Sequence, residues 1–148
     1  MSVLSRLFGS QSSGEPKVTH DRGAGSEEGG EMRERTRTSP RTSPRNLSGL
    51  EAKEYLKKNE NVVLDLWAAW CRPCRALRPI FDAEAGRFSG QVAFGRVNIE
   101  RDPSLAERFE VRSIPTLLFF HEGELVRRHV GMVTPHVLER QVRRTFRL

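Results

Sequence analysis

A chain of 148 residues, 36% of them hydrophobic and 30% charged, has room for one ordinary domain and a tail. No stretch approaches the roughly 18 apolar residues of a membrane span, and the opening carries Arg6 and no apolar run of about seven, so neither a spanning helix nor a secretory signal is expected. The net charge is +6, with +2 in residues 1–46 and +4 in the rest; it favours acidic partners at encounter but does not mark a nucleic-acid binder.

Residues 1–46 are rich in Gly, Ser, Thr, Arg and Glu, and their only apolar group is Val3, Leu4, Leu7 and Phe8. Such a segment buries too little apolar surface to offset its ordering entropy, so it is expected to be a disordered tail. Its repeat, Arg37-Thr38-Ser39-Pro40 then Arg41-Thr42-Ser43-Pro44, reads either as a phosphorylatable or anion-binding arm or as a solvated linker kept extended by proline. The linker is favoured, because no aromatic side chains stand ready for base stacking. From Leu47 the composition turns globular, which sets a domain at 47–148.

Ser48, with Glu51 three residues on, forms a capping box for a helix running to about Asn59, whose apolar face is Leu50, Tyr55 and Leu56. Val62-Val63-Leu64 and Leu66-Trp67 read as a buried strand broken by one carboxylate, Asp65. Pro73 suits the first turn of the next helix, which carries Leu77, Phe81, Ala85 and Phe88 on one face and Pro79 as a kink. Val92 to Ile99 alternates as a strand. Asp102-Pro103 reads as a cap for a short helix to about Glu110. Thr116 to Phe120 and Glu124 to Val130 form a hairpin around Glu122-Gly123, and Thr134-Pro135 opens a last helix with Leu138, Val142 and Phe146 inward. The order α-β-α-β-α-β-β-α predicts an α/β fold: one mixed sheet with helices on both faces and a parallel first crossover.

Trp70-Cys71-Arg72-Pro73-Cys74 contains both cysteines of the chain, so any dithiol–disulfide chemistry must use Cys71 and Cys74. In a cytoplasmic protein, as this one is read, such a pair suggests catalysis or metal binding rather than a structural staple. Cys71 precedes a helix, where unpaired N–H groups, the positive dipole end and Arg72 favour the thiolate; it is the expected nucleophile. Cys74, one turn inside and expected to be more buried, resolves the mixed disulfide. Asp65 reads either as a strand-end carboxylate that reaches solvent or as the general base for Cys74, whose pKa burial raises toward neutrality; the base is favoured, because a lone charge inside an apolar run is costly. His20, His121, His129 and His136 show no compact spacing with the cysteines, so no metal site is expected.

Val63 to Cys74 resembles the active-site segment of the thioredoxin family. Pro79, Val97-Asn98-Ile99, Ile114-Pro115-Thr116, Gly123 and Gly131 resemble the family's helix proline, third strand, cis-proline loop and glycines; the likeness spans about Ser48 to Phe146. It implies the thioredoxin fold, with a sheet of four to five strands. It implies a protein-disulfide reductase working through a reversible Cys71–Cys74 disulfide, without a bound cofactor and recharged from NADPH by a thioredoxin reductase. It also implies a monomer acting on disulfide-containing proteins; the hydropathy gives no membrane partner, and the charge and the missing aromatics do not favour nucleic acid. Pro115 would be cis. Trp70, Ile114, Gly131 and Met132, with Arg72 and Pro73, would form the docking surface. Trp67 would pack beneath the site or serve as core, and Arg96 stands where the family has a lysine near the buried carboxylate. Arg72 and Ser113 replace glycines. A cation at position 72 stabilises the thiolate, so a reduction potential above that of a glycine-bearing variant is expected, and with it a second reading as a more oxidising exchanger. The family's opening edge strand falls on Thr42 to Asn46 and is expected to be missing or rudimentary.

Overall fold

The computed structural model describes residues 43–148, so the tail expected over residues 1–46 lies outside the described residues up to position 42. Nine elements follow in order: β1 (Arg45–Leu47), α1 (Gly49–Lys58), β2 (Asn61–Trp67), α2 (Arg72–Arg87), β3 (Ala93–Asn98), α3 (Ser104–Arg108), β4 (Thr116–His121), β5 (Glu124–Val130) and α4 (Pro135–Phe146). The sheet has five strands in the order β1-β3-β2-β4-β5. β3 runs parallel to β1 and β2, while β4 is antiparallel to β2 and β5. The mixed sheet and parallel first crossover are as the pattern implies.

Local chemistry accounts for most boundaries. Ser48 accepts from the Glu51 N–H while Glu51 accepts from the Ser48 N–H, closing the capping box of α1. Thr134 caps α4 through the Val137 N–H, and proline follows it at the first helical position. Glu122 and Gly123 both adopt positive φ, 48° and 81°, the backbone twist a two-residue hairpin needs. α2 continues through Pro79 for 16 residues.

Strand alternation divides the core into two. Val63, Phe94, Leu117 and Phe119 meet α2 and α4 through Leu77, Phe81, Leu138 and Val142 on one face. Val62, Leu64, Leu66, Val97, Leu118 and Phe120 meet α1 and α3 on the other. Asp65 and Trp67 share the parity of Val63, so the one carboxylate of β2 points under α2.

Two details differ from the pattern, and a third is within what was expected. Leu50 is exposed, and the inward face of α1 is Ala52 and Leu56 with Tyr55 at its margin. α3 starts at Ser104, behind Pro103, because the Asp102 carboxylate accepts from the Gly49 N–H at the start of α1 as well as from Ser104. A Cβ at position 49 would lie 2.6 Å from that carboxylate, so the contact needs glycine there. The opening edge strand is rudimentary, as expected, at three residues long. It includes Arg45 and Asn46, which by composition group with the tail, and pairs them in register with Gly95 and Arg96.

Candidate active site

Three elements converge at the end of β2. β2 delivers Asp65 and Trp67, the start of α2 delivers the cysteines, and the loop before β4 delivers Ile114 and Pro115. Cys71 is the N-cap of α2, and Cys71 and Cys74 are joined by a disulfide with Cα atoms 5.3 Å apart. The Cys74 N–H donates to the Cys71 sulfur at 3.2 Å, and that sulfur lies 3.8 Å from the Ile114 carbonyl oxygen. Ala68, Cys71 and Cys74 form a small buried cluster against which Trp67, Ile99 and Ile114 pack. The two cysteines are equally buried, at 3% exposure each, so the expected difference in burial is not found. A cysteine at an N-cap is shielded by the cis-proline loop as effectively as its partner is by the helix.

Ile114–Pro115 is a cis peptide. The Pro115 carbonyl accepts from the Gly131 N–H at 2.8 Å, which ties the start of β4 to the turn after β5. Gly131 has φ +93°, a conformation L side chains rarely adopt. Met132 follows, 45% exposed, and Trp70 is 68% exposed. Arg72 and Pro73 are also exposed. Of the expected docking residues, Trp70, Arg72, Pro73 and Met132 are exposed, Ile114 and Gly131 are half-buried, and Pro115, which joins β4 to Gly131, is buried.

Asp65 is 1% exposed. Burial pushes its carboxyl up to about 7, against the opposing pull of the Arg96 and Arg78 cations and with a push from Asp82. Its Oδ1 has no hydrogen-bond partner, and its Oδ2 lies 3.8 Å from the Arg96 Nε. Asp65 and Arg96 are direct partners in the β2–β3 register. A cavity of about 220 Å³ is bounded by Asp65, Trp67, Cys74, Arg75, Arg78 and Arg96. It puts the carboxylate and the second cysteine on one shared space, large enough for water to relay a proton. Trp67 is half-buried, with the Arg78 guanidinium 5.0 Å from its ring centroid.

Sequence reasoning missed Asp82. Its carboxylate pairs with the Arg96 Nη2, which also donates to the Arg78 carbonyl at 3.2 Å. The available signal was spacing: Asp82 lies four residues after Arg78, one turn along the same helix face. Arg75 and Arg78 were likewise not singled out.

The thioredoxin family profile matches residues 45–144. Thioredoxin 1 of Synechococcus elongatus is 42% identical over 80 residues, covering 54% of this chain and 75% of that protein. The chloroplastic thioredoxin M-type of Spinacia oleracea is 38% identical over 87 residues, covering 58% of this chain but 48% of that protein. Among solved structures, a mutant thioredoxin from Halobacterium salinarum superposes with a TM-score of 0.67 at 28% identity, covering 72% of this chain and 94% of that one. With the profile spanning two-thirds of the sequence and both cysteines inside it, the chain belongs to the thioredoxin family of thiol–disulfide oxidoreductases.

Proposed function

We propose that the protein reduces protein disulfides with Cys71 as attacking thiolate and Cys74 as resolving thiol. The observation that carries this assignment is the Cys74 N–H aimed at the Cys71 sulfur at the first turn of α2. In the closed disulfide that donor meets a neutral sulfur. In the dithiol form it faces the thiolate, which helix-end N–H groups and Arg72 stabilise. Cys71 attacks one substrate sulfur, and the other leaves as a thiolate that takes a proton. Cys74 then loses its proton toward Asp65, through the shared cavity, and attacks the Cys71 sulfur. The second substrate thiol departs and the Cys71–Cys74 disulfide remains, so two electrons have passed to the substrate.

The substrate segment lies across Trp70, Ile114, Pro115, Gly131 and Met132, with Arg72 and Pro73 at its edge. Trp70 and Met132, large and exposed, support this placement. The family needs no bound cofactor; the electrons come from NADPH through a thioredoxin reductase. The protein acts as a monomer on disulfide-containing proteins in the cytoplasm. A reducing compartment suits a dithiol kept for exchange, although the spinach relative is chloroplastic.

The test is reduction of insulin disulfides by the full chain with NADPH and a thioredoxin reductase. Turnover is expected, and Cys71→Ser should abolish it. Turnover no faster than that variant would overturn the assignment.

A further inference from the structure

α2 exposes Arg72, Arg75 and Arg78 at intervals of three residues. Successive members of such a row are neighbours on a helix surface, so the row starts between the cysteines and slants along the helix. Arg75 and Arg78 line the cavity shared with Cys74 and Asp65. Arg78 also borders a second depression, about 580 Å³, together with Arg101. Arg112 is exposed two residues before Ile114, whose carbonyl touches the Cys71 sulfur.

Among the described residues, none of these five arginines has an ion-pair partner. The carboxylates on this side are engaged. Asp82 holds Arg96, Asp102 holds the start of α1, Glu51 holds the Ser48 N–H, and Asp65 is buried. Glu100 is exposed without such a role, as is Glu110, two residues before Arg112. Trp70 and Met132, by contrast, are exposed apolar side chains.

We propose that this arginine row docks acidic chain, so that the preferred substrates carry Asp or Glu beside the disulfide to be reduced. The proposal rests on the reductase reading and names its substrate class. A cluster of like charges over a cleft concentrates oppositely charged partners and speeds their encounter, and salt screens the effect. The acidic segment lies along Arg72, Arg75 and Arg112 while the apolar part of the substrate covers Trp70.

Two disulfide peptides test this, identical except that one carries Asp and Glu at its flanking positions and the other Lys. kcat/KM for each is measured with the full chain. The acidic peptide should be favoured roughly tenfold at low ionic strength, the lower end of what electrostatic focusing delivers, and the preference should collapse near about 0.5 M salt. The double variant Arg75→Glu, Arg112→Glu should erase or invert the ratio. Arg75→Gln, Arg112→Gln should lower it if charge reversal impairs folding. Because both peptides meet the same thiols, changes in intrinsic reactivity cancel in the ratio. Arg144→Glu, Arg147→Glu makes the same change in net charge at the last turn of α4. There Phe146 packs on Phe119, the partner of Val63 at the far end of β2. This control should keep the preference. Equal rates for the two peptides, or equal loss of preference in both glutamate doubles, would overturn the proposal alone. Reduction of neither peptide would remove the reductase reading with it.

Discussion

Burial penalises Asp65 only when it is charged, and Arg96 at 3.8 Å offsets part of that penalty. Its carboxyl is raised from 3.8 to about 7 in the folded chain. The native state therefore holds a proton that the unfolded state has released. Below pH 4 both states are protonated and nothing is lost. Stability then falls as pH rises toward 7, and above 7 the full penalty applies, about 4 kcal/mol at about 1.36 kcal/mol per unit. Asp65→Asn removes the ionisation and should melt higher than the parent at pH 8, with the gap closing as pH falls to 4. The same variant should slow release of the mixed disulfide about 100-fold, the scale of a lost general base. Denaturant melts at several pH values and single-turnover kinetics check the two effects. A pH-independent gap would refute the charged-state penalty, and unaltered release would remove Asp65 from the chemistry. That Asp65 would be buried was legible in the sequence, because a lone carboxylate between Leu64 and Leu66 in a two-sided strand has nowhere else to point. The equal burial of the cysteines was not legible. It is set by the loop at Ile114, 43 residues away from Cys71 in the chain.

Arg96 stands between carboxylates supplied by two different elements. α2 presents Asp82 and the Arg78 carbonyl to its Nη2, while β2 presents Asp65 only to its Nε, which has no hydrogen-bond partner. The helix thus draws the cation away from the strand, and the charge of Asp82 itself pushes the Asp65 carboxyl upward while Arg78 pulls it down. Asp82→Asn frees the guanidinium to turn toward Asp65. The Asp65 midpoint, followed by NMR of its carboxyl carbon, should fall below about 7. An unmoved or higher midpoint would show that Asp82 has no hold on it. Elements bounded by local chemistry were readable: the Ser48–Glu51 box, Thr134-Pro135, and the Glu122-Gly123 turn. Elements and contacts decided by partners distant in sequence were not. The Asp102 carboxylate is claimed by Gly49, 53 residues earlier, which moves the start of α3. β1 exists because Gly95 leaves room for Leu47; a Cβ there would come within 2.7 Å of the leucine side chain. Asp82 meets Arg96 only once β3 lies beside α2.

At the scale of the whole chain, the described fold, its two cores and the proposed site are built from residues 43–148, and the family profile starts at residue 45. The first 42 residues carry seven basic and six acidic groups, so removing them lowers the net charge by only one. Encounter with an acidic partner depends on charges within about 10 Å at ordinary salt, where the arginines of α2 act and a near-neutral segment adds little. A chain starting at Ser43 should therefore keep the melting point and reduce the acidic peptide within about twofold of the full-length rate, since no described contact is lost. Four residues further the outcome changes. A chain starting at Leu47 loses buried Pro44 and two of the three β1 residues paired with β3, and leaves Leu47 without a strand to hold it in the α1 core. It should be less stable by about 1–3 kcal/mol, the scale of one large apolar side chain and its neighbours returned to water, while its cysteines, two strands away, keep their reactivity. Paired melts and rates for the two truncations decide the matter. Equal stability would show that the edge strand contributes nothing. A collapse of the rate on starting at Ser43 would show that the first 42 residues take part in docking.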